Sequence, residues 1–282
     1  FITSRNLIRK TRLNYHLHRK IVVIDGEIGW TGGFNVGDQY VGTTEKFGYW
    51  RDTHARIVGT ASFSLQEIFI RDWNASIKNK KDLLEYEESY FVLPTQDDNV
   101  DVPMHVVADG PESIEQVIEG GFIKTIVAAK ERVWIQTPYL VPDDSMTSAL
   151  QVALRSGVDV RIMIPCMPDH PFIYRATQYY ANLFQKLGAK IYIYEGGFIH
   201  AKTLLADDAI ASFGTTNQDI RSYELNFEVS AFAYDEKVNK ELATIFEEDM
   251  KHSTLLTQEM IKQQSYWLKF KQNFSRLLSP IL

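Results

Sequence analysis

The residues of this chain with the greatest chemical potential occur as two copies of one pattern. In each copy a histidine is followed by a lysine, an aspartate, a glycine and an asparagine, at offsets of 2, 7, 14 and 17 positions. Imidazoles can serve as nucleophiles, acids or bases, and ammonium groups stabilise negative charge. Five residue types repeated at identical offsets are not a chance event, so we predict two related units. The copies are His18, Lys20, Asp25, Gly32 and Asn35, and His200, Lys202, Asp207, Gly214 and Asn217.

Both copies are predicted to lie on short strand hairpins. The histidine and lysine open an apolar run that ends at Asp25 in one copy and at Asp207 in the other, and such runs are typical of strands. Because residues two apart on a strand share a face, each histidine and its lysine should project together, whereas the aspartate should point away. We therefore expect supporting roles for the aspartates. A second strand at 28–31 or 210–213 leads to small residues and an asparagine, which suit a bound anion.

The doubled pattern resembles the H-x-K-x4-D-x6-G-x-x-N motif of the phospholipase D superfamily. Flanking stretches narrow the resemblance to bacterial cardiolipin synthases and extend it over nearly the whole chain. One departure is that Gly33 and Thr215 follow the motif glycines where the family often has serine; both are small. The stretches are W-R-D-T-H at 50–54, Q-T-P-Y-L-V-P-D at 136–143, G-V-D-V-R-I-M-I-P at 157–165, D-I-R-S-Y-E-L-N-F-E at 219–228 and R-L-L-S-P-I-L at 276–282.

The resemblance implies one site, formed where two units meet about a pseudo-two-fold axis. A phosphodiester would bind there, one histidine would attack phosphorus, and the other would protonate the leaving alkoxide. The phosphohistidine would then pass its phosphatidyl group to an acceptor hydroxyl, without a metal or cofactor. The side chains expected to bind the phosphate oxygens are Lys20, Lys202, Asn35 and Asn217.

Two carboxylates are expected to orient the histidines across the units. By the resemblance, Asp52 holds His200 and Glu228 holds His18, and the alternative is that both acids form structural salt bridges. The resemblance also makes His18 the nucleophile and His200 the acid, although the sequence is nearly symmetric here. Zinc binding by His16 and His18 is disfavoured, because Lys20 opposes a cation and the second copy lacks the first histidine.

The implied reaction joins two phosphatidylglycerol molecules into cardiolipin at the cytoplasmic side of the cell membrane. Two alternatives stay open: hydrolysis of a phosphodiester, as in a phospholipase D or nuclease, and an inactive lipid-binding fragment. The net charge of −6 argues against a nucleic-acid partner. The single cysteine, Cys166, excludes an intrachain disulfide, favours a reducing compartment and is expected to be a buried, inert thiol.

The basic residues near the start of the chain are unevenly distributed. Residues 1–20 contain no acid, which fits either a solvated edge or a basic rim for anionic lipid headgroups. Oligomeric state is not indicated by the sequence. The basic residues are Arg5, Arg9, Lys10, Arg12, Arg19 and Lys20.

The domain prediction is an incomplete first unit with its linker at 1–95, a second unit at 96–252 and a helical tail at 253–282. Only seventeen residues precede His18, so we expect the chain to be part of a longer protein. In the first unit, helix 61–76 should turn Phe63, Glu67, Ile70 and Trp73 inward. Alternating strands and helices in the second unit predict a layered α/β/α fold with a largely parallel sheet.

The second unit and the tail complete the prediction. In the tail, Trp267, Phe270, Phe274 and Leu277 recur at helical spacing, which fits either packing on the core or a helix lying in a membrane interface. Predicted strands are 104–108, 133–137, 159–164, 190–194 and 227–234, and predicted helices are 112–130, 145–155, 172–187 and 236–251.

Overall fold

The computed structural model describes residues 15–41, 46–93 and 101–279. Arg5, Arg9, Lys10 and Arg12, and the predicted boundary at 95, lie outside these residues. The elements of the first part are β1 (His16–Leu17), β2 (Ile21–Ile24), β3 (Ile28–Gly32), β4 (Trp50–Arg51), β5 (His54–Val58) and α1 (Thr60–Ser76).

The first motif copy forms a small antiparallel sheet covered by one helix. β3 lies between β2 and β5, with Ile28 opposite Ile24 on one side and Val58 on the other. The predicted inner face of α1 is confirmed at Ile70, which is buried, and wrong at Glu67 and Trp73, which are exposed. Leu65 and Ile68 are buried in their place. The apolar residues of this helix fit more than one stripe, and packing on β2 and β3 selects the one through Leu65.

The second part is built around a wide mixed sheet. Its strands are β6 (Met104–Asp109), β7 (Arg132–Gln136), β8 (Leu140–Val141), β9 (Asp159–Pro165), β10 (Lys190–Tyr194), β11 (Phe198–Ile199), β12 (Thr203–Ala206), β13 (Ile210–Gly214), β14 (Gln218–Asp219), β15 (Asn226–Ala233) and β16 (Ser253–Leu255). Its helices are α2 (Val117–Ala128), α3 (Asp144–Arg155), α4 (Pro171–Lys186), α5 (Ile220–Glu224), α6 (Glu236–Lys251), α7 (Gln258–Gln263) and α8 (Tyr266–Leu277).

The strand order places the second motif hairpin in the middle of this sheet. Neighbouring strands run β1, β15, β13, β12, β7, β9, β10 and β16, and β6 also pairs with β15. The expectation of a largely parallel sheet is wrong. β7, β9 and β10 are parallel because helices α3 and α4 connect them. β12, β13 and β15 are antiparallel neighbours joined by short links, and β6 pairs antiparallel with β15 from a distant part of the chain.

Helices cover both faces of the sheet, so the layered α/β/α expectation is confirmed. Alternation along β7 shows the layering, because Val133 and Ile135 enter the core under α2, α3 and α4 while Trp134 packs with Phe246 of α6. Two details differ from the sequence prediction. Helix α2 starts at Val117 rather than at 112, and the tail begins with β16, which pairs with the edge strand β10.

The hydrophobic cores of the two parts touch. Ile57 of β5 and Leu65 of α1 lie in one buried cluster with Phe213 and Val229 of the large sheet. The domain limits stay a prediction. Among the described residues no helix combines the length and the apolar character that spanning a bilayer requires.

Candidate active site

Each motif histidine is held by backbone pairing with the other half of the molecule. β1 runs parallel to the start of β15, and the His18 N–H donates to the Phe227 carbonyl at 3.0 Å. In the same way β11 runs parallel to β4, and the His200 N–H donates to the Arg51 carbonyl at 2.7 Å. These exchanged pairings bring the two motif copies to a common site.

The carboxylates contact the histidines across the same exchange. Nδ1 of His200 lies 2.7 Å from Oδ2 of Asp52, and Nδ1 of His18 lies 2.8 Å from Oε1 of Glu228. These are the cross-unit contacts that the resemblance implies, and a carboxylate at Nδ1 fixes the ring and its tautomer. Nε2 of each ring is then the nitrogen available for chemistry.

The two motif lysines are arranged alike. Lys20 Nζ donates to the His18 carbonyl at 2.6 Å, and Lys202 Nζ donates to the His200 carbonyl at 2.5 Å. Burial lowers the pKa of Lys20 to about 8 against the charges of Glu228 and Asp52. Burial also lowers the pKa of Lys202 to about 7, with a further decrease from Lys20. An anion placed between the two ammonium groups would raise the pKa of both lysines and favour their charged forms.

The surroundings of the two histidines differ. The side chain of His18 is 25% exposed and that of His200 is 8% exposed. Burial, followed by the charge of Lys202, lowers the pKa of His200 to about 3 despite the hydrogen bond to Asp52. The His200 imidazole is therefore neutral in the free site.

Aromatic rings surround His200. The Trp50 ring lies 5.4 Å and the Tyr40 ring 5.7 Å from the imidazole, centroid to centroid. Trp50 stacks at 4.5 Å on Phe198, which is fully buried. These rings exclude water from one side of the site and account for the burial of His200.

Polar groups surround Glu228 on the other side. Thr215 Oγ1 donates to Glu228 Oε2, and Asn226 Nδ2 donates to Oε1 at 3.0 Å. Burial alone would raise the pKa of Glu228, but the charge and hydrogen bond of His18, with Lys20 and Thr215, hold it below its usual range. Arg19 Nε also donates to the Glu228 carbonyl at 2.9 Å.

The motif asparagines follow their hairpins but make different contacts. Asn35 Nδ2 donates to the Tyr40 hydroxyl at 2.7 Å. Asn217 is buried, its Nδ2 lies 3.4 Å from Asp219 Oδ2, and its Oδ1 has no partner in the described part of the chain. Phosphate binding by these amides stays a prediction.

The motif aspartates lie at the hairpin turns and not in the site. Both adopt left-handed backbone angles, with φ of 55° at Asp25 and 48° at Asp207. Asp207 Oδ1 accepts the backbone N–H of Glu131 at 2.8 Å and that of Arg132 at 3.0 Å. Asp25 is exposed and makes no hydrogen bond or ion pair with the described residues. Only the second aspartate therefore braces its hairpin, and it does so against β7.

The sequence analysis gave Thr215 and Arg19 no role toward Glu228. Both adjoin motif residues and could have been found only by asking what would pair with that carboxylate. Tyr139, between β7 and β8, donates its hydroxyl to Asp169, and burial raises its pKa. Cys166 is half-buried and not buried as expected, and burial raises the pKa of its thiol.

Comparison with solved structures agrees with this arrangement. The crystal structure of a phosphatidylserine synthase from Haemophilus influenzae superposes with a TM-score of 0.70 at 16% identity, covering 94% of this chain and 71% of that one. At this identity the likeness shows the fold alone.

Sequence comparison finds more similar proteins. Residues 122–250 match the family described as cardiolipin synthase, PLD-like domain. The whole chain is 50% identical to a cardiolipin synthase of Listeria innocua, and 96% of it is 50% identical to the major cardiolipin synthase of Bacillus subtilis. The chain spans 58% and 55% of the lengths of these two relatives.

Proposed function

We propose that the protein is a phosphatidyltransferase that joins two phosphatidylglycerol molecules into cardiolipin and releases glycerol. The observation that carries the proposal is the pair of cross-unit histidine–carboxylate contacts, His18 with Glu228 and His200 with Asp52. The lipids come from the cardiolipin synthases that the chain resembles. The cytoplasmic side of the cell membrane, where a lone thiol stays reduced, is the proposed location.

The proposed reaction has two displacements at one phosphorus atom. Nε2 of one histidine forms a bond to phosphorus while the bond to the headgroup glycerol oxygen breaks, and the second imidazolium gives that oxygen its proton. The second imidazole then removes the proton from a terminal glycerol hydroxyl of another phosphatidylglycerol. That oxygen attacks phosphorus and frees the first histidine.

The lysines and asparagines stabilise the phosphorus as it becomes five-coordinate. Lys20 and Lys202, with Asn35 and Asn217, are the proposed partners of the non-bridging oxygens. The pKa values of both lysines are lowered in the free site. A bound anionic phosphodiester would raise these pKa values and favour the ammonium forms, which attract it.

The burial of the histidines favours one order of events. A nucleophile needs a neutral imidazole, and His200 is the ring whose pKa is lowered to about 3. His18 contacts Glu228 and is the more exposed of the two rings. We therefore assign His200 as nucleophile and His18 as acid and then base, the reverse of the order implied by the resemblance.

Trapping of the intermediate tests both the mechanism and the order. A labelled phosphatidyl ester of p-nitrophenol is mixed with the enzyme and quenched, because this leaving group needs no acid. We expect label on His18→Ala and none on His200→Ala. The opposite pattern reverses the two roles. If neither variant nor the wild type carries label, the phosphohistidine intermediate is contradicted.

Product analysis tests the proposed substrates. With phosphatidylglycerol in detergent micelles, transfer gives cardiolipin and glycerol, whereas hydrolysis gives phosphatidic acid and glycerol. Cardiolipin as the main product supports the proposal. Phosphatidic acid as the main product makes the protein a phospholipase D, and no turnover at all makes this chain a binding module.

A further inference from the structure

Helix α8 carries its large apolar side chains on the outside of the molecule. Trp267, Phe270, Phe274 and Leu277 are 63%, 57%, 48% and 71% exposed. Their rings form one surface, since Trp267 stacks on Phe270 at 5.4 Å and Phe270 on Phe274 at 6.3 Å. We call these four residues the aromatic stripe. The tail therefore packs on the core, but with the side opposite to the one its apolar residues predict.

The inner face of the same helix is polar and well fixed. Gln272 and Ser275 are buried against α4. Gln272 Oε1 accepts from Asn182 Nδ2 at 3.2 Å, and its amide donates to Gln264 Oε1 at 3.1 Å. These bonds fix the rotation of α8, so the outward position of the aromatic stripe is a built feature of the fold.

Positive charge lies on both sides of the aromatic stripe. At 3.6 residues per turn, Lys269 and Lys271 fall on opposite flanks of it, with their Nζ atoms 6.0 Å from the Tyr266 ring and 5.3 Å from the Trp267 ring. The helix, Y-W-L-K-F-K-Q-N-F-S-R-L, contains no acid, although the chain as a whole carries a net charge of −6. This positive charge complements an anionic surface.

The aromatic stripe extends toward the active site. Arg276, near its end, lies 5.4 Å from the ring of Tyr179. Just beyond α8, Ser279 lines a small cleft together with Ile173 and Asp219. Asp219 is the partner of the motif residue Asn217. The C-terminal end of the stripe therefore reaches the side of the fold on which the motif loops lie.

We propose that the aromatic stripe with Lys269 and Lys271 is the surface by which this protein lies on an anionic lipid bilayer. Aromatic and leucine side chains flanked by lysines suit the headgroup boundary of such a bilayer, where apolar burial and attraction to acidic lipids add. The proposal rests on the proposed function only in that the substrate is drawn from the same bilayer. Binding and transfer can thus fail separately.

Vesicle binding tests the proposal. The chain is sedimented with vesicles of phosphatidylcholine alone, or with about one third phosphatidylserine, an anionic lipid that is not the proposed substrate. We expect binding to the anionic vesicles only. Phe270→Ser with Phe274→Ser should weaken it about tenfold or more, and Lys269→Gln with Lys271→Gln should weaken it by a smaller factor and remove its salt dependence.

Matched controls and a local probe make the result specific. Phe69→Ser, at another exposed phenylalanine, should leave binding unchanged. Brominated acyl chains should quench the fluorescence of Trp267, so Trp267→Phe should lose that quenching. His18→Ala should abolish transfer in micelles and still bind vesicles, which separates this proposal from the proposed function.

Three results would contradict the proposal that the aromatic stripe binds lipid. The first is wild-type affinity of the double variant Phe270→Ser, Phe274→Ser. The second is an equal loss of binding in Phe69→Ser and Phe270→Ser, and the third is a wild-type dimer that Phe270→Ser dissociates. The last result would show that a second copy of the chain covers the aromatic stripe.

Discussion

The two motif copies place the same groups with nearly the same backbone geometry but in different surroundings. In both copies the lysine bonds its own histidine carbonyl and a carboxylate from the other unit holds Nδ1. The neighbourhood of His200 is aromatic and closed, whereas His18 is partly open and faces a polar cluster around Glu228. A repeat thus supplies symmetric geometry, and its neighbours make the two imidazoles chemically unequal.

The carboxylates show how the two copies compensate for side-chain length. Asp52 is short and stands against Gly33, where an added Cβ would come 2.1 Å from its Oδ1. Glu228 is longer and receives the hydroxyl of Thr215, the counterpart of Gly33 in the repeat. The small residue after each motif glycine is therefore matched to the carboxylate that it touches.

The lysines should give the largest effects, because they neutralise the same phosphate from two sides. Lys20→Met and Lys202→Met should each lower kcat/KM for transfer about 100- to 1000-fold. Steady-state assays in micelles measure this, with urea unfolding to show that each variant is folded. If one folded variant keeps more than a tenth of the wild-type rate, the two lysines do not contribute equally to catalysis.

The next largest effects are expected at Gly33 and Thr215, the residues that follow the two motif glycines. Gly33→Ala should push Asp52 away from His200 and reduce kcat up to about 100-fold. Thr215→Ala should instead destabilise the fold by about 1.5–3 kcal/mol, because a buried carboxylate loses a hydrogen bond.

Two conservative changes serve as controls for this pair. Thr215→Ser keeps the hydroxyl and should restore stability. Gly120→Ala adds a Cβ with nothing within 4 Å and should leave activity unchanged. Normal activity of Gly33→Ala would show that Asp52 does not need its present position.

The neutral state of His200 predicts a pH effect on stability. Its folded pKa is about 3 against an ordinary value of 6.5, so between these pH values the unfolded chain binds the extra proton. The free energy of unfolding therefore rises with pH across this window, by about 2–3 kcal/mol from pH 4 to 7. Urea titrations should show a flatter profile for His200→Gln than for His18→Gln. Parallel profiles for the two variants would contradict the difference in burial.

The turn aspartates should give the smallest effect. Asp207→Asn weakens an oxygen that accepts three backbone N–H groups, those of Lys130, Glu131 and Arg132, and should cost about 1–2 kcal/mol. Asp25→Asn should cost less than about 0.5 kcal/mol, because Asp25 is exposed. Asparagine tolerates the left-handed backbone of both turns, so backbone strain should contribute equally little to the two variants. Equal losses in urea unfolding would mean that the turns, and not the contacts, matter.

Much of the chain followed from local pattern. Helix α6 and strand β10 lie where periodicity put them. The motif pairs do not open their strands as predicted: His18 and Lys20 lie between β1 and β2, and His200 and Lys202 lie between β11 and β12. Local sequence pattern did not predict the structure where a segment could pack in more than one way. It placed Glu67 and Trp73 of α1 on the wrong face, missed β16, and left two orientations of the tail's aromatic rings open.

The sequence by itself determined the candidate reacting groups, because the repeat offsets single out their residue types. The tertiary structure decided what surrounds them. The Asp52–His200 and Glu228–His18 contacts join residues 148 and 210 positions apart, and the lowered pKa values depend on burial by the other unit. Solvent exclusion and charge proximity are sums over distant parts of the chain, and local spacing does not contain them.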